Sequence, residues 1–135
     1  MRKRSKIALL VLAVLVSVLG YLSRGVWDGQ PPSQRVVMVP ELSPSAREGR
    51  EAFDRRCAEC HGPHAAGTAV GPSLVHAVYR PAHHADVAFA LAVQRGVAAH
   101  HWRFRDMPPQ PGLPPGEIDK ITRYVRELQR ANGIE

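Results

Sequence analysis

The chain contains only two cysteines, and both lie in the segment "RRCAECHGPH" at residues 55–64. Two residues separate them, and His61 follows the second one directly. Cysteines this close together occur in structural disulfides, zinc sites, redox dithiols and covalently held haem. A chain of 135 residues has room for one domain and a tail. That single domain must provide the surroundings that the cysteines need, so the choice among these four chemistries constrains the fold.

The first 24 residues have the pattern of an export segment. A basic head precedes an uncharged apolar run of 17 residues, 7–23. This run is longer than the apolar core of a cleaved signal peptide, roughly 7–15 residues, and lies at the short end of a membrane-spanning helix, roughly 17–25 residues. No A-x-A cleavage pattern follows it. We therefore predict an uncleaved signal-anchor helix at residues 1–24, with a cleaved signal peptide as the alternative. By the positive-inside rule, it leaves the rest of the chain in the periplasm, anchored to the inner membrane.

The positive net charge comes mainly from this head. Five of the 18 Lys and Arg residues precede the first acidic residue, Asp28, and the remaining 13 face 12 acidic residues. The rest of the chain is therefore close to neutral, and its charge pattern does not indicate a nucleic-acid partner.

Residues 25–43 have the composition of a tether. Proline, glycine, serine and glutamine are frequent there, and they disfavour regular structure. The apolar patch "RVVMV" at residues 35–39 interrupts this pattern, and the sequence leaves open whether it docks on the domain that follows.

The pattern of residues 44–132 predicts an all-α domain. Apolar residues recur at helical spacing, and prolines and glycines separate the segments that carry them. The expected helices span about 45–58, 86–96 and 115–131. No strand-like alternation appears between them.

Each predicted helix has an expected boundary or buried face. Ser45 and Glu48 form a capping-box pattern at the start of the first helix. Its spacing places three residues on one face: Gly49, Phe53 and Cys57. The residues available for burial in the second helix are Val87, Ala90, Leu91 and Val93. The last helix has an apolar stripe of Ile118, Ile121, Val125 and Leu128, with Tyr124 at its edge.

Covalent haem fits the cysteine segment better than the other three chemistries. A redox dithiol would follow a strand, a disulfide across two residues closes a small loop, and the paired histidines lack the spacing of zinc fingers. C-x-x-C-H is the attachment motif of c-type haem, with His61 placed to bind the iron. Export agrees with this interpretation, and a large apolar cofactor would complete a core that is thin for so loop-rich a domain.

The sequence resembles the small bacterial class I c-type cytochromes, which carry a single haem. The resemblance covers residues 45–131 and rests on "EGREAFDRRCAECHGPHAAGTAVGPSL" (48–74) and "RDMPPQPGLPPGEIDKITRYVREL" (105–128). It implies a cytochrome c fold of three to four helices around one covalently attached haem c. It also implies that Gly49 and Phe53 pack against Tyr124 where the first and last helices cross.

The same resemblance implies roles for individual residues. Haem would be attached through Cys57 and Cys60, and its iron would be bound by His61 and Met107. The Pro72 carbonyl would accept a hydrogen bond from His61, and Leu74 would lie against the porphyrin. Trp102 is a candidate for the haem pocket or for the core. His100 or His101 is the rival of Met107 as distal ligand; together with His83 and His84, we interpret them as exposed loop histidines.

An iron with both axial positions bound has no site for a substrate. We therefore assign no catalytic residue, expect no small-molecule substrate, and predict a membrane-tethered electron carrier rather than an enzyme. Its partners would be a respiratory or periplasmic donor and an acceptor such as a terminal oxidase. The alternatives are a dedicated haem subunit of a dehydrogenase or oxidase complex, and a haem sensor or peroxidase with a displaceable distal ligand.

Overall fold

A computed structural model describes residues 11–20 and 36–135 of the chain. Residues 11–20 are helical with exposed side chains, and they belong to a different unit from the compact one that spans Pro31–Glu135. The rest of the predicted anchor, and residues 25–35 of the predicted tether, lie outside the described residues. Of the helices in the described ranges, none combines the length and apolar character needed to cross a membrane.

The compact unit is built from helices and loops. Its α-helices are α1 (Pro44–Arg56), α2 (Ala58–His61), α3 (Asp86–Arg95) and α4 (Pro115–Ala131), with short 3₁₀ turns at Pro63–Ala65 and Ala77–Tyr79. No strand forms in the described part of the chain, where the extended pairing is one antiparallel bridge between Val97 and Met107. The prediction of an all-α domain is confirmed.

The start of α1 differs from the prediction. The cap is Ser43 and not Ser45: the Ser43 hydroxyl oxygen accepts a hydrogen bond from the Ala46 N–H at 3.2 Å. Pro44 occupies the first helical position, where a missing N–H has no consequence. The Ser43 N–H and O–H donate to the Glu127 carboxylate at 3.0 and 2.7 Å, so the start of α1 is bound to α4.

Helices α1 and α4 cross in close contact at Gly49. A Cβ atom at this position would overlap the backbone carbonyl of Lys120, so only glycine allows this approach. Four residues on, the rings of Phe53 and Tyr124 meet edge to face, with their centroids 5.5 Å apart. The packing that the resemblance implied is therefore confirmed, although Tyr124 is fully buried rather than at the edge of the stripe.

The apolar stripe of α4 is buried as predicted, but the burial expected for α3 is only partly right. The four stripe residues of α4 are at most 5% exposed: Ile118, Ile121, Val125 and Leu128. In α3, Val93 is buried, whereas Val87 and Leu91 are 63% and 38% exposed. Helix α3 contacts the domain over a narrower strip than its apolar composition indicates.

A buried arginine connects α4 to the loop before α3. The Arg126 side chain, 6% exposed, pairs with Asp86 at 2.7 Å. It also donates to the carbonyl oxygens of Tyr79 and His84 and to the Gln129 side chain. A buried cation is stable only when it is paired and hydrogen-bonded in this way. Arg126 therefore fixes the path of the loop that ends at His84.

The segment before α1 is bound to the end of α4. The Met38 N–H donates to the Asn132 side-chain oxygen at 3.0 Å, and the Asn132 side-chain nitrogen donates to the Met38 carbonyl at 2.8 Å. Leu42 is buried in the core. Val37 also packs, partly buried, against the core, so the question that the sequence left open is answered: the chain docks on the domain from Val37 onward.

Gly49→Ala should destabilise the protein, because neither backbone at the α1–α4 contact has room to move away from a new methyl group. Overpacking of this kind costs roughly 1–3 kcal/mol, which exceeds the gain of about 1 kcal/mol from replacing glycine in a helix. The check is the urea midpoint of the haem-loaded protein, followed by circular dichroism.

Gly116→Ala is the matched control, because Gly116 lies in α4 with no atom within 4 Å of its would-be Cβ. Its midpoint should be unchanged or slightly higher. Equal midpoints for the two variants would show that the contact with Lys120 is not close.

Candidate functional site

The two cysteines flank the start of one short helical turn. The Cys57 N–H donates to the Phe53 carbonyl at 2.7 Å and thereby ends α1. The Cys57 carbonyl then accepts from the N–H groups of Cys60 and His61, at 3.1 and 2.9 Å, which forms α2. Because of this turn, the buried part of α1 determines where all three side chains lie.

The cysteines are free thiols in an environment that does not suit a redox dithiol. Cys57 is partly buried and Cys60 is exposed. Burial and the neighbouring Cys60 raise the pKa of the Cys57 thiol to about 11. A redox-active cysteine needs the opposite shift, toward the thiolate. Among the described residues, no group with metal-ligand spacing contains either cysteine, so the zinc hypothesis gains no support.

His61 is held in the form that binds a metal. Its Nδ1 lies 2.9 Å from the Pro72 carbonyl oxygen, so the hydrogen bond that the resemblance implied is present. A carbonyl can only accept, so Nδ1 carries the proton and Nε2 keeps its lone pair for a ligand bond. Burial lowers the pKa of His61, while the hydrogen bond to Pro72 opposes this shift.

The loop before Pro72 folds tightly onto the cysteine turn. The Thr68 hydroxyl donates to the Cys60 carbonyl and accepts from the N–H groups of Val70 and Gly71. Gly71 lies against the same carbonyl, where a Cβ atom would come within 2.6 Å of the oxygen. These contacts place the Pro72 carbonyl beside the imidazole of His61.

Leu74 is hydrogen-bonded to a strained stretch of backbone earlier in the chain. His64 and Ala65 both have positive φ, 55° and 56°, which side-chain-bearing residues seldom adopt. The Leu74 N–H and the Ser73 hydroxyl both donate to the Ala65 carbonyl and hold this stretch, and Gln129 donates to the Leu74 carbonyl. Leu74 packs, partly buried, against the core.

Met107 lies on a separate, firmly held segment. Met107 and Val97 exchange two backbone hydrogen bonds of 2.9 Å each, and the Gln110 N–H donates to the Val93 carbonyl at 2.7 Å. Gly96, with φ 74°, turns the chain at the end of α3, and a Cβ there would come within 2.5 Å of the Met107 carbonyl oxygen. Pro108 follows Met107 directly and restricts its backbone, but no local pattern in the sequence indicates the bridge.

Trp102 is partly buried beside the 3₁₀ turn at Ala77–Tyr79. Its indole N–H donates to the Tyr79 hydroxyl at 3.2 Å, and its ring meets His76 edge to face with centroids 5.0 Å apart. Sequence analysis missed the roles of Tyr79 and His76, since neither belongs to a motif. The indole is thus held in one orientation by residues well before it in the chain.

The two histidine pairs form one cluster in space. His83, His100 and His101 are exposed as predicted and His84 is half-buried, but the rings of His84 and His101 lie only 5.3 Å apart. Slight desolvation and the three neighbouring imidazoles lower the pKa of His101. The sequence indicated four separate loop histidines, because spacing along the chain does not reveal that two loops converge.

The sequence profile of the cytochrome c family matches residues 46–129. The chain belongs to the cytochrome c family. Proteins of this family carry covalently bound haem c with iron and are typically electron carriers rather than enzymes. The donors of this cytochrome fit that group: two free thiols, one neutral imidazole with a free Nε2, and a thioether on a fixed segment. No characterised protein and no solved structure gives a significant match to the chain.

Gly96→Ala should loosen the Met107 segment, since the new methyl group would collide with the Met107 carbonyl and φ is positive there. Amide hydrogen exchange at Val97 and Met107 should become at least about tenfold faster, corresponding to a loss of about 1.4 kcal/mol in local opening free energy. Mass spectrometry of peptic fragments measures this.

Gly112→Ala is the control for backbone strain alone, because Gly112 has φ 84° and no atom within 4 Å of its would-be Cβ. Exchange at Val97 and Met107 should be unaffected in that variant. A similar acceleration in both variants would mean that the strain of the glycine conformation, and not contact with Met107, governs this segment.

Proposed function

We propose that this cytochrome is a membrane-tethered, single-haem electron carrier whose haem domain faces the periplasm. It would pass electrons from a respiratory or periplasmic donor to an acceptor such as a terminal oxidase. The observation that carries the proposal is the neutral imidazole of His61, fixed by Pro72 within a C-x-x-C-H turn. When bound, haem c supplies one-electron exchange between ferric and ferrous iron.

The chain's own residues would hold and insulate the haem. Cys57 and Cys60 would attach it through thioether bonds, and His61 Nε2 would be one ligand of the iron. Met107 would be the other. Its thioether has no proton to lose, so this bond should persist across neutral pH. With both of these ligands supplied by the protein, it would transfer electrons without binding a substrate.

The remaining site residues would form the walls of the haem pocket. Leu74 would contribute apolar surface, and Pro72 would orient the proximal imidazole. Trp102 would add an aromatic face whose orientation is fixed by the hydroxyl of Tyr79. Each of these positions is held by hydrogen bonds within the protein, so little would have to move when iron changes its charge.

The proposal of one haem rests on cysteine content. The chain has two cysteines in total, and each c-type attachment of this kind uses two. A second covalent haem would need a second pair of thiols.

The proposed tether rests on the N-terminal sequence. A basic head followed by 17 uncharged apolar residues is long enough for a short membrane span, and the described part of this run, residues 11–20, is helical. The linker between the apolar run and the docked segment, residues 25–36, is 12 residues long and would reach at most roughly 40 Å when fully extended. Partners in the same membrane would therefore be at high local concentration, so weak contacts would suffice for electron exchange.

Cys57→Ala and Cys60→Ala should each sharply reduce the yield of haem-loaded protein, because one thioether bond is lost in each. The wild-type protein should keep its haem through acid–acetone extraction, whereas the double variant Cys57→Ala with Cys60→Ala, which can form no thioether bond, should release or lack it. Glu59→Ala, between the two cysteines, is the control and should retain haem like the wild type. Normal accumulation of haem-free variants would exclude the cofactor proposal.

Met107→Ala should remove the weak near-infrared sulfur-to-iron band, lower the reduction potential and open the iron to carbon monoxide. Met38→Ala is the control, because Met38 is 64% exposed on the docked segment before α1. An unchanged spectrum in Met107→Ala would shift the assignment to His100 or His101. Carbon monoxide binding by the wild-type protein would instead favour the sensor or peroxidase alternative.

The full chain should stay in the membrane fraction after alkaline carbonate washing, with its haem domain open to protease from the periplasmic side. A double variant, Val18→Ala with Gly20→Ala, introduces an A-x-A cleavage pattern and should release a soluble haem protein. Release of the wild-type protein, with an N-terminus near Tyr21 or Val26, would show that the segment is a cleaved signal peptide.

A further inference from the structure

Two loops on either side of α3 bring four histidines together. His83 and His84 end the loop before α3, and His100 and His101 lie in the loop that follows it. One ligating nitrogen from each of His83, His84 and His101 lies within 4.8 Å of the other two. We propose that these three imidazoles bind a divalent transition-metal ion of the zinc, copper and nickel class, at a site separate from the haem.

The ligand chemistry selects this class of ion. Imidazole nitrogen binds zinc, copper and nickel well, whereas magnesium and calcium require oxygen ligands. With Zn–N bonds of about 2.1 Å and tetrahedral angles, ligand nitrogens are about 3.4 Å apart. Small rotations of the side chains of His83 and His101, both exposed, would bring the three nitrogens to that distance. No large movement of the backbone is needed.

A fourth ligand is also within reach. The ring centroid of His100 lies 4.2 Å from that of His101 and 6.4 Å from that of His84. The site can therefore be completed by a fourth imidazole or by water, and water is the fourth ligand of three-histidine zinc sites.

His84 is already oriented for ligation. Its Nδ1 lies 2.8 Å from the Val78 carbonyl oxygen, so Nδ1 carries the proton and Nε2 keeps its lone pair. This is the arrangement by which metal-binding histidines are fixed in one tautomer. The His84 carbonyl in turn accepts a hydrogen bond from the buried Arg126. The half-buried member of the cluster is thus held by the interior of the domain.

The backbones of both loops are held as well. The N–H groups of His83 and His84 both donate to the Arg80 carbonyl, at 3.0 and 2.8 Å. In the second loop, the Ala99 N–H donates to the Asp106 carboxylate at 2.9 Å. The bridge at Val97 and Met107 closes this loop at its base. The ligands are therefore presented by turns with defined shapes.

The cluster is physically joined to the proposed haem pocket through Tyr79. The Tyr79 ring lies 5.1 Å from the His84 ring and 6.5 Å from the His101 ring, and its hydroxyl accepts the Trp102 indole hydrogen bond. The metal proposal nevertheless stands independently of haem attachment, since its three ligands are distinct from the four residues proposed above to hold the haem: Cys57, Cys60, His61 and Met107.

The test is calorimetric titration of the full-length, haem-loaded protein in detergent with ZnCl₂, after purification without a polyhistidine tag. We expect one saturable site per chain. His83→Gln and His101→Gln should each weaken zinc binding at least tenfold, and folding should be unaffected because both side chains are exposed. His64→Asn is the control: it removes a histidine outside the cluster, and asparagine tolerates the positive φ at that position.

Zinc K-edge absorption on the same sample identifies the ligands. A first shell of nitrogen at about 2.0–2.1 Å with imidazole scattering supports the site. A sulfur shell at about 2.3 Å would place the ion on cysteine thiolates that carry no haem and would overturn the proposal. Equal affinity in the wild type, His83→Gln and His101→Gln, or an equal loss in His64→Asn, would overturn it too, whatever the state of the haem.

Discussion

The close crossing of α1 and α4 is the contact on which the rest of the domain depends. It requires a glycine at position 49, because the carbonyl of Lys120 occupies the space of a side chain. The paired rings of Phe53 and Tyr124 then fill the interior beside it. The exposed ion pair of Arg55 with Glu117, at 3.2 Å, adds little, since surface pairs are worth about 0–1 kcal/mol. The crossing is stabilised mainly by burial of the two rings and by the close approach of the two helix backbones.

The crossing matters for function because each of the two helices positions part of the candidate site. Helix α1 ends at Cys57, so its position sets the cysteine turn. Helix α4 contributes Arg126 and Gln129, which bind carbonyls of the loop between Leu74 and His84. One packing interaction therefore relates the cysteine turn to the loop at Leu74 and to the histidine cluster. A shift of the helices would move all three.

Features that depend on neighbours in sequence were predictable. The last helix has the predicted bounds, and its stripe is buried, because periodicity records which face meets the core. The cysteine turn was found because its functional groups are contiguous. The Ser43 cap was missed, since the Glu127 carboxylate that joins it is 84 positions away. Likewise, nothing local distinguishes Arg126, which is buried, from the exposed Arg130.

Long-range features of the site could not be predicted from local sequence patterns alone. The partnership of His61 with Pro72 was expected only through the resemblance to cytochromes. The convergence of the histidine pairs had no such guide, because it depends on how two loops fold around α3. The exposure of Val87 and Leu91 has the same origin. An apolar sequence indicates which residues could be buried, but tertiary contacts determine which of them are buried.

The bridge between Val97 and Met107 makes residues 98–106 a loop whose two ends are hydrogen-bonded to each other. The chain leaves and re-enters at two residues that are bonded to each other, so changes inside the loop are not transmitted to the backbone at Met107. Such a loop can be lengthened, shortened or exchanged as a cassette. Met107 and the exposed pair His100 and His101, although only a few residues apart in sequence, are thereby free to diverge independently as the gene evolves.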